Sequence, residues 1–276
     1  MRPGIPSGSA FPTIALLGFV TLLGTLIAAR AETSCTILAD ASTGAVVYSE
    51  GECDTRVPPA STFKIPISLM GFDSGVLTDA VTPVLAFKPG YPDWIEAWRR
   101  DTDPSSWMRN SVVWYSQRVT EALGKEKFAG YVRAFAYGNA DVTGDPGKDN
   151  GLTRSWLSSS LRISASEQVA FLVRLVNRTL PVSARALDMT EMILEKHDLA
   201  DGWTVHGKTG TGFAVNADGA ANRNRPFGWY VGWAVMGDRT IAFARLRQFD
   251  EPRKMTPGLG ARDEMLERLP ALLEAI

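Results

Sequence analysis

The spacing of apolar positions divides the chain into a strand-rich beginning and end around a helical middle. Two short apolar runs on either side of Ser42-Thr43-Gly44 predict a β-hairpin, because small polar residues and glycine favour a tight turn. Apolar residues at helical spacing predict helices at 61–72, 110–123, 126–136, 165–178 and from after Pro181 to about His197. Strand-like runs follow at 203–209, 228–235 and 240–246, and a last helix spans 264–276.

Prolines, glycines and polar clusters mark the connections between these elements. Four prolines predict irregular structure over residues 81–110, and the segments 141–151 and 216–225 are polar loops. Sequential strands joined by short links favour antiparallel pairing. The pattern therefore predicts an α/β fold of the α+β type, in which helices flank a central, mainly antiparallel sheet and a helical lobe is inserted around residues 75–200. We expect residues 32–276 to form this single domain.

The first 31 residues have the pattern of a cleaved export signal. Arg2 supplies a positive charge, a mostly apolar stretch runs from Ala10 to Ala28, and Ala29-Arg30-Ala31 has the small residues of a cleavage site. An uncleaved membrane anchor is the alternative, because the apolar stretch is close to spanning length. We predict a periplasmic or secreted protein that has no stable membrane association after cleavage.

Charge and cysteine content indicate which partners the protein can bind and which compartment it occupies. The chain has 29 basic and 30 acidic residues, and this balance argues against nucleic-acid binding, which usually requires a basic face. Cys35 and Cys53 lie nearly opposite each other in the predicted hairpin. They would form a disulfide in an oxidising compartment, or else remain two buried thiols. With only His197 and His206 as histidines, a zinc centre is not expected.

The segment Ser61-Thr62-Phe63-Lys64 places a hydroxyl and an amine three positions apart at the start of a predicted helix. Residues at this spacing share one helix face, so both groups can point into one pocket. A serine hydroxyl becomes nucleophilic when a base takes its proton, and Lys64 can serve if burial lowers its pKa. Taken alone, the pair also fits a serine cap beside a solvated lysine.

Two further motifs could complete a site around Ser61. Lys208-Thr209-Gly210 lies on a predicted strand, where a lysine and a hydroxyl can bind a carboxylate and the glycine lets a ligand approach the backbone. Ser111-Val112-Val113 begins a predicted helix and could supply a second hydroxyl for proton transfer. Taken singly, these motifs also fit an edge-strand lysine before a turn and the start of an amphipathic helix.

The motifs Ser-x-x-Lys, Ser-x-Val and Lys-Thr-Gly, in this order, resemble those of the penicillin-recognising serine enzymes, which include β-lactamases and transpeptidases. Tyr137-Gly138-Asn139 and Trp229-Tyr230-Val231-Gly232-Trp233 narrow the resemblance to the class D, or oxacillinase-type, β-lactamases over about residues 35–265. The Ser-Asp-Asn triplet of class A is absent. The resemblance implies that the protein hydrolyses the β-lactam ring of penicillin-type antibiotics through an acyl-enzyme on Ser61 and thereby confers resistance.

The resemblance also implies a modified base. In class D enzymes carbon dioxide carboxylates the active-site lysine, here Lys64, so bicarbonate is needed and no other cofactor is expected. Only a neutral amine reacts with carbon dioxide, so the pocket must be dry, and Val113 is expected to help exclude water. Trp156 is the expected indole donor to the carbamate, unless it is an ordinary core tryptophan.

The remaining roles follow from the same resemblance. The backbone N–H groups of Ser61 and Thr211 are expected to form the oxyanion hole, and Ser111 to relay the proton to the departing ring nitrogen. Trp229 and Trp233 are interpreted as strand packing. The residues expected to bind the substrate carboxylate are Lys208, Thr209, Gly210 and Arg262. The arginine, at the start of the predicted final helix, could instead be a solvated charge.

Other functions share these motifs. A β-lactam sensor domain, or a DD-peptidase or transpeptidase, would acylate Ser61 without efficient turnover, and a sensor would need a large membrane region before the domain. A non-enzymatic periplasmic binding protein would leave the joint presence of Ser61, Lys64, Ser111 and Lys208 as a coincidence. The expected partner is a small β-lactam substrate, and both a monomer and a homodimer are consistent with the sequence.

Overall fold

A six-stranded sheet forms the centre of the computed structural model, which describes Met1, Gly4 and residues 33–253 and 256–276. Its strands are β1 (Thr33–Asp40), β2 (Val46–Gly51), β3 (Glu195–Asp198), β4 (Thr204–Val215), β5 (Ala221–Met236) and β6 (Arg239–Gln248). Their order is β2-β1-β6-β5-β4-β3, and every neighbouring pair is antiparallel. The predicted fold class is confirmed. The predicted export signal lies outside the described residues except for Met1 and Gly4.

Helices cover both faces of this sheet. They are α1 (Lys64–Ser74), α2 (Pro104–Asn110), α3 (Val113–Leu123), α4 (Lys125–Ala134), α5 (Gly151–Arg154), α6 (Ala165–Val176), α7 (Ala184–Ile193) and α8 (Pro257–Glu274). On one face, Met265 and Leu269 of α8 share an apolar cluster with Tyr230 and Phe243 of the sheet. On the other face α6 packs against β1 and β6. Among the described residues, no helix is both long and apolar enough to cross a membrane.

The first hairpin has the predicted register. Cys35 pairs with Gly51 across β1 and β2, and the chain continues past Gly51 so that Cys53 returns to Cys35. The two cysteines form a disulfide with a Cα–Cα distance of 5.0 Å. The predicted disulfide is therefore present in the structure, and it ties β1 to the segment that leads from β2 to Ser61.

The helix α2 occupies part of a region for which prolines predicted irregular structure. Pro104 takes the first position of α2, where its missing N–H is not needed and its fixed φ suits a helix. Asp103 Oδ1 accepts a hydrogen bond from the N–H of Ser106 at 2.7 Å, and Ser106 Oγ accepts one from the N–H of Asp103 at 2.9 Å. The prediction was wrong because a proline at a capped helix start was interpreted as a breaker.

The helix that follows Pro181 is shorter than predicted. It ends at Ile193, and His197 lies in the edge strand β3 instead. Residues 195–198 pair with β4, and this pairing with a neighbouring strand cannot be read from local periodicity.

The last hairpin and the last helix are longer than predicted. β4 extends to Val215 and β5 begins at Ala221, so the second half of the polar segment 216–225 belongs to β5 and residues 216–220 form the turn. α8 begins at Pro257, so Arg262 lies inside the helix rather than at its start. The start of β5 was missed because its residues are polar and mostly exposed, and the start of α8 because Pro257, Gly258 and Gly260 do not favour a helix locally.

Candidate active site

Residues 57–63 carry the predicted nucleophile Ser61 and are called the nucleophile segment. They place Ser61 directly before the first residue of α1. Ser61 lies in a 3-10 helix, Ala60–Phe63, and the α-helix itself begins at Lys64, so the predicted helix start is a 3-10 turn. Ala60 has a left-handed backbone with φ 51°, a conformation that costs about 1 kcal/mol for a residue with a Cβ atom. Its N–H donates to the carbonyl oxygen of Trp156 at 3.1 Å. Tertiary contacts therefore hold Ser61 in a turn that local sequence does not favour.

Lys64 is completely buried beside the serine. Its Nζ lies 3.2 Å from Ser61 Oγ, within hydrogen-bond distance, and its side chain is 0% exposed. Burial, and next the positive charge of Lys208, hold the pKa of Lys64 well below its usual range. A lowered pKa increases the fraction of neutral amine, which is the form able to accept a proton.

Lys208 and Ser111 form a second lysine–serine pair in the same site. Lys208 Nζ donates to Ser111 Oγ at 2.9 Å. Burial lowers the pKa of Lys208 to about 8, while Glu195 raises it in part and Arg262 lowers it further. Ser111 is not at a helix start as predicted. It closes α2 with a left-handed backbone, φ 57° and ψ 36°, and α3 begins two residues later.

Gly210 allows β4 to lie directly against the nucleophile segment. A Cβ atom at this position would sit 2.9 Å from the carbonyl oxygen of Pro59 and 3.2 Å from the nitrogen of Thr62. Protein backbone, rather than space for a ligand, therefore requires the glycine. The next residue, Thr211, accepts a hydrogen bond at Oγ1 from the N–H of Gly258 at 2.9 Å. This contact fixes the middle of β4 to the first turn of α8.

Trp229 anchors the nucleophile segment from the sheet. Its indole Nε1 donates to the carbonyl oxygen of Pro58 at 3.0 Å, and its side chain is fully buried. The sequence interpretation assigned this tryptophan to strand packing alone. The continuous buried run of β5 around Trp229 is consistent with a buried tryptophan, but it cannot reveal which carbonyl group the indole reaches.

A buried polar network lies directly behind Ser61. Gln168 Nε2 donates to Thr62 Oγ1 at 3.0 Å, and Tyr137 OH donates to Gln168 Oε1 at 3.1 Å. Thr62 Oγ1 in turn donates to the carbonyl oxygen of Pro59 at 2.8 Å. Sequence reasoning did not identify Gln168. Its only signal is a glutamine on the apolar face of α6.

The motif at 137–139 supports the same segment through backbone contacts. Asn139 exchanges hydrogen bonds with Arg162: its N–H donates to the carbonyl oxygen, and its Oδ1 accepts from the N–H, both at 2.9 Å. The next residue, Ile163, exchanges backbone hydrogen bonds with Val57 at 2.9 and 3.1 Å. The motif therefore fixes the start of the nucleophile segment.

Comparisons with known proteins show which family this chain belongs to. The family described as penicillin binding protein transpeptidase domain matches residues 34–268. Beta-lactamase OXA-9 of Klebsiella pneumoniae is 47% identical over 240 residues, which are 87% of this chain and 88% of the relative. Beta-lactamase OXA-1 of Escherichia coli is 39% identical over 204 residues, 73% of this chain and 70% of the relative. The crystal structure of OXA-427 class D beta-lactamase is 48% identical, covers 88% of this chain and 99% of its own, and has a TM-score of 0.84. The chain belongs to the class D β-lactamases.

Trp156 gives this class D β-lactamase a buried donor that lacks an acceptor. The side chain is 0% exposed and its ring centroid lies 5.7 Å from that of Phe63. Within the described ranges, its Nε1 has no hydrogen-bond partner. An unpaired buried N–H costs about 1–3 kcal/mol, so a donor kept in this state marks a place for an acceptor. Val113, the first residue of α3, is also buried.

Arg262 of the β-lactamase lies on α8 near the edge strand β3. Its Nη1 is 3.3 Å from Glu195 Oε1, and its Nε and Nη2 are 3.0 and 2.9 Å from Asp263 Oδ1. A guanidinium has five N–H donors, so these contacts do not exhaust its capacity. Its charge also lowers the pKa of Lys208, which places the two cations in one electrostatic environment.

The site of the class D β-lactamase opens into a cleft. The cleft has a volume of about 260 Å³ and begins at Ala60, the residue before Ser61. Its walls combine aromatic and apolar side chains with two arginines, and its lining includes Trp94, Arg154, Leu157, Thr211, Phe213 and Arg223. Ser61 is not among the lining residues, so the cleft adjoins the site through its neighbour Ala60 and through Thr211, and it is large enough for part of a small organic substrate.

Proposed function

We propose that this enzyme hydrolyses the β-lactam ring of penicillin-type antibiotics through an acyl-enzyme on Ser61 and so confers resistance to them. The observation that carries the proposal is the position of the Lys64 amine, fully buried and 3.2 Å from Ser61 Oγ. A base buried this close to a serine can take its proton as the serine attacks a carbonyl carbon. The family membership supports the β-lactam amide as the bond that is attacked.

Lys64 is proposed to be carboxylated by carbon dioxide. Two features of the site fit this group: the burial that depresses the pKa of the amine, and the unpaired buried indole N–H of Trp156. When present, the carboxyl group supplies an oxygen base next to Ser61. Trp156 would hold it with one hydrogen bond, and the buried side chain of Val113 would limit access of water.

The residues around Ser61 are proposed to fill the remaining catalytic roles. Ser61 Oγ loses its proton and bonds to the lactam carbonyl carbon, while the backbone N–H groups of Ser61 and Thr211 stabilise the oxyanion. The close contact of Gly210 with Pro59 supports this role, since it brings β4 against the segment that carries Ser61. Ser111, which accepts a hydrogen bond from Lys208, then delivers a proton to the departing ring nitrogen. The base at Lys64 next takes a proton from the water that attacks the acyl carbon, and Ser61 is released as the ester bond breaks.

Substrate anchoring is proposed to depend on the cations of β4 and α8. The carboxylate of a penicillin would bind Lys208 and Thr209, and Arg262 would add a third contact. Gly210 keeps this part of β4 close to Ser61. Because Arg262 already contacts Glu195 and Asp263, it would share its donors between these carboxylates and the substrate.

The experiment is steady-state hydrolysis of a chromogenic β-lactam by the purified protein, with and without added bicarbonate. Ser61→Ala is expected to abolish turnover, because it removes the nucleophile. Ser74→Ala, at the far end of α1, is the matched control and is expected to retain it. Mass spectrometry of quenched reactions should show the intact β-lactam added to the wild-type protein and not to Ser61→Ala.

A separate result would contradict each part of the proposal. One stoichiometric burst without turnover would contradict hydrolysis and indicate a sensor or a cell-wall transpeptidase. Carbon-13 bicarbonate should give a carbamate resonance that is lost in Lys64→Ala, and its absence from the wild-type protein would contradict carboxylation.

We further propose that residues 1–31 are removed during export to the periplasm or the medium. The disulfide between Cys35 and Cys53 supports an oxidising compartment. The mass of the protein recovered from the periplasmic fraction tests this proposal. A mature chain beginning after Ala31 is expected, and a full-length chain that stays with the membrane fraction would contradict it.

A further inference from the structure

Two arginines at the cleft beside Ser61 have no part in the reaction described above. Arg223 and Arg154 line this cleft together with Trp94, Leu157 and Phe213. The groups proposed to bind the ring carboxylate, Lys208 and Arg262, are not among its lining residues. The cleft therefore offers a second cationic region to a substrate whose reacting carbonyl lies at Ser61.

The aromatic wall of the cleft is held in place by buried neighbours. Trp94 is 65% exposed, although its ring lies only 5.6 Å from that of Trp98. Trp98 is buried, and its Nε1 donates to the carbonyl oxygen of Asn110 at 2.8 Å. Phe213, a second aromatic lining residue, donates its N–H to Ser158 Oγ at 2.9 Å. An indole presented to solvent on a rigid support is suited to pack against an aromatic ring of a ligand.

The charge of the cleft is only partly compensated. The guanidinium of Arg223 lies 5.6 Å from the ring centroid of Phe213, and no carboxylate of the described chain forms an ion pair with it. Arg154 is paired through Nε with Asp145 at 3.2 Å, which leaves most of its planar fork for another acceptor. Such a fork next to aromatic rings suits a ligand side chain that carries both an aryl ring and a carboxylate.

We propose that this cleft is a subsite for an aromatic acyl side chain that bears a carboxylate, with Trp94 and Phe213 contacting the ring and Arg223 the negative charge. The proposal rests on the proposed function, since it assumes that a β-lactam is attacked at Ser61. It adds a substrate preference: of two penicillins that differ only in a side-chain carboxylate, the dianionic one binds more tightly.

The test uses benzylpenicillin and carbenicillin, which is the same molecule with a carboxylate on the side-chain methylene carbon. Dissociation constants are measured by tryptophan fluorescence on Ser61→Ala, so that binding is read without acylation. Because the contact is partly exposed, we expect carbenicillin to bind about threefold more tightly at low salt. Added sodium chloride should reduce this advantage, because exposed charges are screened.

Arg223→Gln, made in the Ser61→Ala background, should abolish the difference between the two penicillins. Arg225→Gln is the matched control, since Arg225 lies two residues away on β5 and is paired with Asp250 at 3.0 Å. This control should keep the difference. Equal affinity for the two compounds in Ser61→Ala, or a ratio that Arg223→Gln leaves unchanged, would overturn the subsite.

The two proposals fail in different ways. A wild-type enzyme that hydrolyses benzylpenicillin while Ser61→Ala shows equal affinities retains the proposed function and loses the subsite. A wild-type protein that hydrolyses neither compound while Ser61→Ala prefers carbenicillin retains the subsite and loses the proposed hydrolysis.

Discussion

Replacing Gln168 by methionine tests whether the polar network behind Ser61 stabilises the fold as a unit. Gln168 accepts a hydrogen bond from Tyr137 OH at 3.1 Å and donates one to Thr62 Oγ1 at 3.0 Å. Both the tyrosine and the glutamine are 1% exposed, so water cannot replace the lost partner. Methionine has nearly the same length and volume, and the packing of α6 should therefore change little.

The expected magnitude follows from the hydroxyl that loses its acceptor. An unsatisfied buried polar group costs about 1–3 kcal/mol, so Gln168→Met should lower the free energy of unfolding by about 2 kcal/mol. Tyr137→Phe should cost about 1 kcal/mol, the net value of one hydrogen bond. In the double variant no tyrosine hydroxyl remains unpaired, so its loss should fall short of the sum of the single losses by about 1 kcal/mol.

The assay is urea unfolding of the wild-type protein, the two single variants and the double variant, followed by tryptophan fluorescence. Tyr131→Phe combined with Gln168→Met is the control, because Tyr131 OH donates to Asp73 at 2.7 Å and shares no partner with Gln168. The control losses should add within about 0.5 kcal/mol. If the Tyr137→Phe and Gln168→Met losses are equally additive, the two residues do not form a coupled network and the reasoning is refuted.

Three other contacts give measurable outcomes. Trp229→Phe leaves the Pro58 carbonyl without its donor, so we expect about 1–2 kcal/mol lower stability in urea and a lower kcat; an unchanged kcat would contradict the anchoring of the nucleophile segment. The KM for a penicillin should rise as the pH passes about 8, where Lys208 loses the proton that makes it a cation, and a KM independent of pH up to about 10 would argue against this lysine as carboxylate ligand. Reducing the bond between Cys35 and Cys53, 18 positions apart, should lower stability by about 3 kcal/mol in urea, while reductant should have no effect on the Cys35→Ser/Cys53→Ser variant.

The hairpin and the capped helices are features that residues close together in the sequence determine. The turn at 42–44 sets the register of β1 and β2, and through it the meeting of Cys35 with Cys53. Ser164 and Glu167, three positions apart, cap α6 reciprocally. Such features depend on residues a few positions apart, so the sequence itself contains them.

Most of the wrong predictions have one physical origin in common. The strand β3, the long ends of β4 and β5, and the early start of α8 depend on partners distant along the chain. Pro104 is a different case, since a local cap at Asp103 was available and was not recognised. Pairing with a distant strand can override the local preference of a polar segment, and no periodicity reports it.

Sequence alone identified the side chains that we propose to carry the chemistry, because Ser61, Lys64, Ser111 and Lys208 stand in motifs whose spacing and order are themselves the signal. The tertiary structure decided how these groups are placed and what state they take. It brings Lys208 to Ser111 across 97 positions, and it buries Lys64 so that its pKa falls. Burial and distant hydrogen bonds are properties of packed surfaces, and the sequence specifies them only through the fold.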